Sequence, residues 1–447
     1  MKLRKDLSLF GLTMVAVGSV IGSGIFLTPS QIASNIPVPG LIITAWIFGG
    51  ILALTGALTL GELGGMFPKT GGIYVYLKEA YGDFVGFLYG WAYFTVIMSG
   101  TVAALSIAFS TYIGYIFPLS ETGKVIISAA LIVIVTIINI FRVKIVEKTT
   151  NTFSVLKLIG ISLIIIAGLF LGSYALMENS AATVIENTGK SSGITAFGLA
   201  MIGVLWSFGG WHHTSFLAGE AKNSNRNIPR AMVYGTIIVL LVYILTNMAY
   251  MFLLPLNEII SSDSIASDAL ETVIPFGGLL VAVLIAISTF GTALVDTLSG
   301  PRIYFAMAND GLFFKRLTKI HPRFNTPVNS IIAQSIWALI ILFMWRTFEA
   351  VITYVTFIDW IFFFLTAVIV ILFRIKRKNL NRPFKTPLYP VVPLIFIITS
   401  FLFVLNTLAE NILYAGAGLG LLLLGVPVFL FFRNVNKRNG QGDDTLN

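Results

Sequence analysis

The sequence predicts an all-α membrane protein with twelve transmembrane helices, and three observations predict it. Hydrophobic residues make up 56% of the 447 and charged residues 11%, with a mean hydropathy of +0.89. Soluble domains carry roughly 25% charged residues, so a chain this apolar cannot cover a water-facing surface, and lipid must be its solvent. Runs of about 20 apolar residues, long enough to cross a hydrocarbon core, recur near 8–36, 40–66, 84–116, 124–141, 150–176, 195–219, 230–255, 276–306, 327–345, 350–373, 388–409 and 412–432. Lys and Arg then fall on alternate loops. The amino terminus, the loops after spans 2, 4, 6, 8 and 10, and the carboxyl tail hold 25 of the 29. The opposite side holds Lys124, Lys190 and Arg346, and Lys157 lies inside span 5. Positive loops stay in the cytoplasm, so both termini are expected there.

Taken in order, the spans divide into ordinary and exceptional ones. The basic start runs straight into apolar residues without a small-residue cleavage site, so it reads as a first membrane helix and not a removed signal peptide. Spans 1, 3 and 8 are overlong and must tilt or break. No stretch between spans is long enough for a soluble domain. The expectation is one membrane domain over residues 1–447, with a cytoplasmic tail from 433.

Two spans carry glycine in mid-membrane. Span 1 reads GLTMVAVGSVIGSGIFLTPS, with Gly18, Gly22 and Gly24 beside Ser19 and Ser23. Glycine in a helix interior costs about 1 kcal/mol relative to alanine. Gly18 and Gly22, four apart, also suit close helix packing, and both readings stand. GSG followed directly by Ile25-Phe26 favours unwinding. Span 6 reads ITAFGLAMIGVLWSFGGWHHTSFLAGE, with Gly209-Gly210 between Trp206, Phe208 and Trp211. Unwound backbone inside a membrane is tolerated only where protein or a water-filled cavity surrounds it. A pair of interrupted spans in corresponding positions points to a transporter's binding site. The half-helix that starts after a break offers free N–H groups to a carboxylate. The half-helix that ends there offers free carbonyls to an ammonium. An amino acid carries both.

Other classes fit poorly. The chain has no cysteine, which removes disulfides, thiolate metal sites and a Cys nucleophile. There is no HExxH, GxSxG with partners or Walker loop, so no enzyme, cofactor or metal is expected. Adjacent His212 and His213 point about 100° apart on a helix and lack a third ligand. The net charge of +9 is spread over short loop clusters, not gathered into a patch for nucleic acid. No filter motif suggests a channel, and no output domain suggests a sensor.

Seven stretches then carry a resemblance: IGSGIF at 21–26, PKTGGIYVYL at 68–77, WSFGGWHHTSF at 206–216, GEAKNSNRNIPRA at 219–231, VYILTNMAY at 242–250, PRIYFAMANDG at 301–311 and NRPFKTPLYPVVP at 381–393. Together they resemble the amino acid–polyamine–organocation superfamily, and within it the L-amino acid transporter family, over nearly the whole chain. The resemblance implies a LeuT-like fold of two inverted five-helix repeats (about 8–176 and 195–373) with helices 11 and 12 (about 388–432) added. It implies sodium-independent exchange of amino acids by alternating access, with a proton-coupled symporter as the alternative. The substrate site would lie at Val20, Ile21, Gly22, Ser23 and Gly24 on helix 1, and at Trp206, Ser207, Phe208 and Gly209 on helix 6.

Six residues are weighed against this frame. Lys157 sits seven residues into span 5, where an ammonium costs about 2.5–3.5 kcal/mol unless it snorkels to the interface. The resemblance instead places it where related transporters bind sodium, between helices 1 and 8. Tyr243 matches the family's helix 7 tyrosine near the substrate. Trp206 stands where much of the family has phenylalanine capping the substrate from outside, so a smaller pocket is expected, suited to alanine, serine or threonine. Asp296 is an ionisable group in span 8, functional by default, and two readings stand: a role in transport, or a structural ion pair with Arg302. Glu62 is expected as a gate or loop anchor, and Asp359 has no assigned role. The acidic loop holding Glu258, Asp263, Asp268 and Glu271 is expected to be solvated or part of an outer lid. The family's mammalian members pair with a heavy subunit through a cysteine. This chain has none, and is expected to act alone as a monomer in the cell membrane.

Overall fold

The protein is described by a computed structural model over residues 7–69, 71–141, 143–172, 193–321 and 326–438. Six basic residues counted above, namely Lys2, Arg4, Lys5, Arg142, Lys190 and Arg323, lie outside those residues. The described chain is helical throughout and contains no strand.

Span 1 is two helices, α1 (Leu9–Val20) and α2 (Gly24–Asn35), bent by 43° at the break between them. Helix α3 (Pro39–Met66) crosses as one rod. The amphipathic α4 (Ile73–Tyr81) leads into α5 (Asp83–Ala92), which continues through a π-helical turn at Tyr93–Ile97 into α6 (Met98–Ile116). The overlong third span is thus absorbed by one extra residue per turn, a local bulge of the kind found inside helices at functional sites. Helices α7 (Glu121–Phe141) and α8 (Val143–Leu171) follow. Span 6 is α9 (Ile194–Ser207) and a 3₁₀ segment (Trp211–Glu220). Next come α10 (Ser224–Leu253), the short α11 (Leu256–Ser261) and α12 (Ile265–Glu271), then α13 (Gly277–Ser299) and α14 (Pro301–Asn309). The last four are α15 (Val328–Trp345), α16 (Phe348–Lys376), α17 (Val391–Glu410) and α18 (Ile412–Arg438).

Among the described residues ten helical stretches are long and apolar enough to cross a membrane, and the bent α1–α2 pair makes an eleventh. This is a multi-pass membrane protein. Its solvent preference is that of lipid: Ile126, Ile134, Leu241, Leu402 and Leu424 point outward, while Thr28, Thr59, Ser99, Thr246 and Gln334 are buried. Buried hydroxyls close onto carbonyls of the preceding turn, as Thr59 does on Thr55 and Thr246 on Val242, so few polar groups are left facing hydrocarbon.

Contacts between loops follow the charge alternation. At the end rich in Lys and Arg, the extended Leu7 exchanges backbone hydrogen bonds with Glu220 and Lys222. Tyr74 and Lys78 both donate to Asp310, at 2.7 and 2.8 Å. Burial would lower the Lys78 pKa, but the carboxylates of Asp310 and Asp83 outweigh it and hold the ammonium above its ordinary value. Glu62 accepts from Arg374 at 2.6 Å and lies 3.3 Å from Arg382, so it is the loop anchor expected of it. Arg302 departs from expectation. It pairs with Glu220 at 3.3 Å and not with Asp296, because six residues along a helix turn it about 120° away from Asp296 and about 9 Å farther toward the loop end. At the opposite end, Gln31 meets Glu349 and Glu271 accepts from the Gly278 amide at the start of α13.

Candidate functional site

The two breaks lie against each other. Gly210 has φ +107, a conformation that favours glycine, and a Cβ there would stand 2.7 Å from the Ser19 carbonyl. A Cβ on Gly24 would stand 2.6 Å from the Ser207 Cα. Glycine at these two points lets α2 and α9, and the two unwound segments, meet backbone to backbone. Ser207 seals the contact by hydrogen bonding Thr28 of α2 at 2.9 Å.

Side chains from three other helices hold the α1 break in place. The Lys157 ammonium donates to the carbonyls of Gly18 (3.0 Å) and Ile21 (2.9 Å) and to Thr292 Oγ1 (2.6 Å). It is 5% exposed, so it points into the protein and not to the interface. The Tyr243 hydroxyl lies 2.9 Å from the Val20 carbonyl and 3.1 Å from that of Ser207, spanning both breaks. Tyr112 and Tyr250 donate to the carbonyls of Phe26 and Ile25 in the first turn of α2. The Lys157 and Tyr243 bonds satisfy carbonyls at the ends of α1 and α9 that the breaks leave without intrahelical partners, and Tyr250 satisfies the Ile25 carbonyl, whose i+4 partner Pro29 has no N–H to give.

A cavity of about 70 Å³ opens between the breaks. Of the expected substrate residues, Val20, Gly22, Ser23, Gly24, Trp206 and Gly209 line it. Ile21, Ser207, Phe208 and Tyr243 do not: Ile21 and Ser207 are engaged as above, and Phe208 packs with Trp46 and Tyr243 at 5.9 and 5.1 Å. The cavity is also lined by residues the sequence left without a role there. They are Thr101 and Leu105 of α6, His212 and His213, Asp296, and Thr356 and Asp359 of α16. Asp296 and Asp359 stand out as ionisable groups in apolar spans, but Thr101 and Leu105 carry no such local mark.

A second cavity of about 460 Å³ lies toward the opposite end, lined by Gln31, Glu121, Lys124, Arg346 and Glu349 among others. Trp206 lines the inner cavity and Phe348 the outer one, and their rings meet edge to face at 6.1 Å. This aromatic pair separates a small chamber from a wide charged vestibule.

Comparison with known proteins agrees with this architecture. The amino acid permease family matches residues 7–430. The chain is 33% identical to the serine/threonine exchanger SteT of Bacillus subtilis, covering 96% of both proteins. It is 32% identical to human b(0,+)-type amino acid transporter 1, over 90% of this chain and 82% of that protein. It is 30% identical to the human large neutral amino acids transporter small subunit 2, over 96% of this chain and 80% of that protein. With its broken helices, the cavity between them and this near full-length similarity, the chain belongs to the amino acid permease family.

Proposed function

We propose that the protein is a sodium-independent exchanger of small neutral L-amino acids, working by alternating access in the cell membrane. The observation that carries this reading is the convergence of both helix breaks on one cavity while the Lys157 ammonium holds the α1 break by its carbonyls. A fixed ammonium on those carbonyls occupies the position a sodium ion would need, bridging α1 and Thr292 of α13. Amides of Ser23 and Gly24 would receive the substrate carboxylate at the start of α2, the Gly22 amide being taken by the Val20 carbonyl, and free carbonyl lone pairs at the ends of α1 and α9 its ammonium. Ser207, Phe208, Gly209 and Tyr243 would shape and brace that site. Trp206 would lid it, and its bulk favours serine, threonine or alanine, in line with the serine/threonine exchange named for SteT.

The wider reading rests on the same frame. The eleven spans plus the short apolar helix at Lys157–Leu171 support twelve spans, two inverted repeats with two added helices, and both termini in the cytoplasm. The chain would work as a monomer, since it has no cysteine for tethering a second subunit. The test uses purified protein in proteoliposomes. Vesicles preloaded with unlabelled L-serine should take up labelled L-serine several-fold faster than empty ones, equally well in sodium or choline. Equal uptake by empty vesicles driven by a proton gradient would favour the proton-coupled symporter instead.

A further inference from the structure

Three polar side chains of the inner cavity have no part in receiving a substrate's carboxylate and ammonium. Thr356, Asp359 and His212 line the cavity. Among the described residues, Thr356 Oγ1, Asp359 Oδ1 and both ring nitrogens of His212 lack a hydrogen-bond partner. Thr356 and His212 are 3% and 2% exposed. The three lie together. Thr356 and Asp359 stand three residues apart on α16, and so on one face of it. Phe363, one turn beyond Asp359 on that face, meets the His212 ring at 4.9 Å. His212 therefore lies alongside the same face. Other threonines of α16 spend their hydroxyls on the helix itself: Thr353 donates to the Glu349 carbonyl and Thr366 to that of Phe362. Thr356 keeps its hydroxyl for the cavity.

Buried polar groups are hydrogen-bonded as a rule, and leaving them unmade is costly. The group that completes this set must both donate and accept. A carboxyl Oδ1 accepts, a threonine hydroxyl donates and accepts, and a neutral imidazole has one donor and one acceptor. An alcohol has the matching profile without carrying charge, and a methyl group offers neither function. We propose that Thr356, Asp359 and His212 form a side-chain subsite that selects a β-hydroxyl. The substrate hydroxyl donates to Asp359 Oδ1 and accepts from Thr356 Oγ1 or a His212 nitrogen. This rests on the exchange reading above and narrows it: serine and threonine are the preferred substrates, and alanine, although smaller, is a poor one. Trp206 limits the size of the side chain and these three residues set its chemistry. The discrimination is of the strong kind. A site built to hydrogen-bond a hydroxyl rejects the analogue that lacks it, because the site's own polar groups are then left unpaired.

The experiment loads proteoliposomes with L-serine and measures initial uptake of labelled L-serine, L-alanine, L-threonine and L-valine, each below saturation. Threonine and valine share a shape, so that pair reads the hydroxyl alone. The intact protein should take up threonine about tenfold or more faster than valine, and serine about tenfold or more faster than alanine. Thr356→Val keeps the shape of the residue and removes its hydroxyl. Asp359→Leu removes the acceptor. Each should lower both ratios several-fold, and Thr356→Ser, which retains a hydroxyl, should keep most of the discrimination. Because both members of a pair are read in the same preparation, a ratio is independent of how much protein folds. Ratios near one in the intact protein overturn the subsite alone, since water then satisfies these groups whatever the substrate. Parental ratios in both Thr356→Val and Asp359→Leu also overturn it, as does a loss in Thr356→Ser equal to that in Thr356→Val. Failure of serine exchange in the intact protein overturns the exchanger reading, and the subsite with it.

Discussion

An ammonium taken out of water costs several kcal/mol, and Lys157 offsets that cost with three acceptors within 3.0 Å. Two of these are carbonyls freed by the α1 break, so side chain and backbone each satisfy what the other lacks. Removing the lysine leaves both carbonyls unpaired, and an unsatisfied buried polar group costs about 1–3 kcal/mol. Lys157→Ala should cut serine exchange at least tenfold in vesicles containing matched amounts of monodisperse protein. Exchange within twofold of the parent would refute a role for Lys157 in holding the site. The sequence left this residue between two fates, since a lysine seven residues into a span can reach the interface or the interior. Its direction depends on the break after Val20 freeing the Gly18 and Ile21 carbonyls more than a hundred residues away, which no local pattern records.

At the scale of the element, glycine decides where two helices can touch. GSG at 22–24 and Gly209-Gly210 were legible as breaks because several glycines in mid-membrane rarely serve a continuous helix. That these breaks meet each other was not legible, because contact requires the packing of α2 on α9. A methyl group on Gly24 would press on the Ser207 backbone, which cannot rotate away as a side chain can. Gly24→Ala should therefore lower both the thermal midpoint in detergent and serine exchange, the latter by tenfold or more. Gly40→Ala, where an added Cβ meets nothing within 4 Å, should leave both unchanged. Equal behaviour of the two variants would show that the close approach of α2 and α9 is unimportant. The second half of span 6 differed from a regular half-helix: it is 3₁₀ from Trp211 to Glu220. His212 and His213 both line the inner cavity, although 3₁₀ spacing sets neighbours about 120° apart.

For the whole molecule, the alternation of basic loops was the most legible feature, and it reappears as contacts. Loops expected on one side meet one another, as Lys78 meets Asp310 and Arg302 meets Glu220, because only elements at the same end of a bundle can touch. Pairing within an end was not legible, since many carboxylates and bases there compete for partners, and Arg302 was matched with Asp296, which lines the inner cavity instead. The strongest of these ties is Glu62. It lies 1% exposed at the end of α3 and accepts from Arg374 of α16 and from the Thr386 amide, with Arg382 beside it. One carboxylate thus joins α3, α16 and the segment leading to α17. Neutralising it leaves two guanidinium groups facing each other around an amide that still donates. Breaking a buried ion pair from one side costs about 3–5 kcal/mol. Glu62→Gln keeps the shape and one acceptor, so the expected loss sits toward the lower end of that range, read as a fall of several degrees in the thermal midpoint. The network is remote from the chamber lining, so the apparent affinity of the surviving folded protein for L-serine should stay within twofold of the parent. A large change in affinity with an unchanged midpoint would make Glu62 a gating residue instead of a brace.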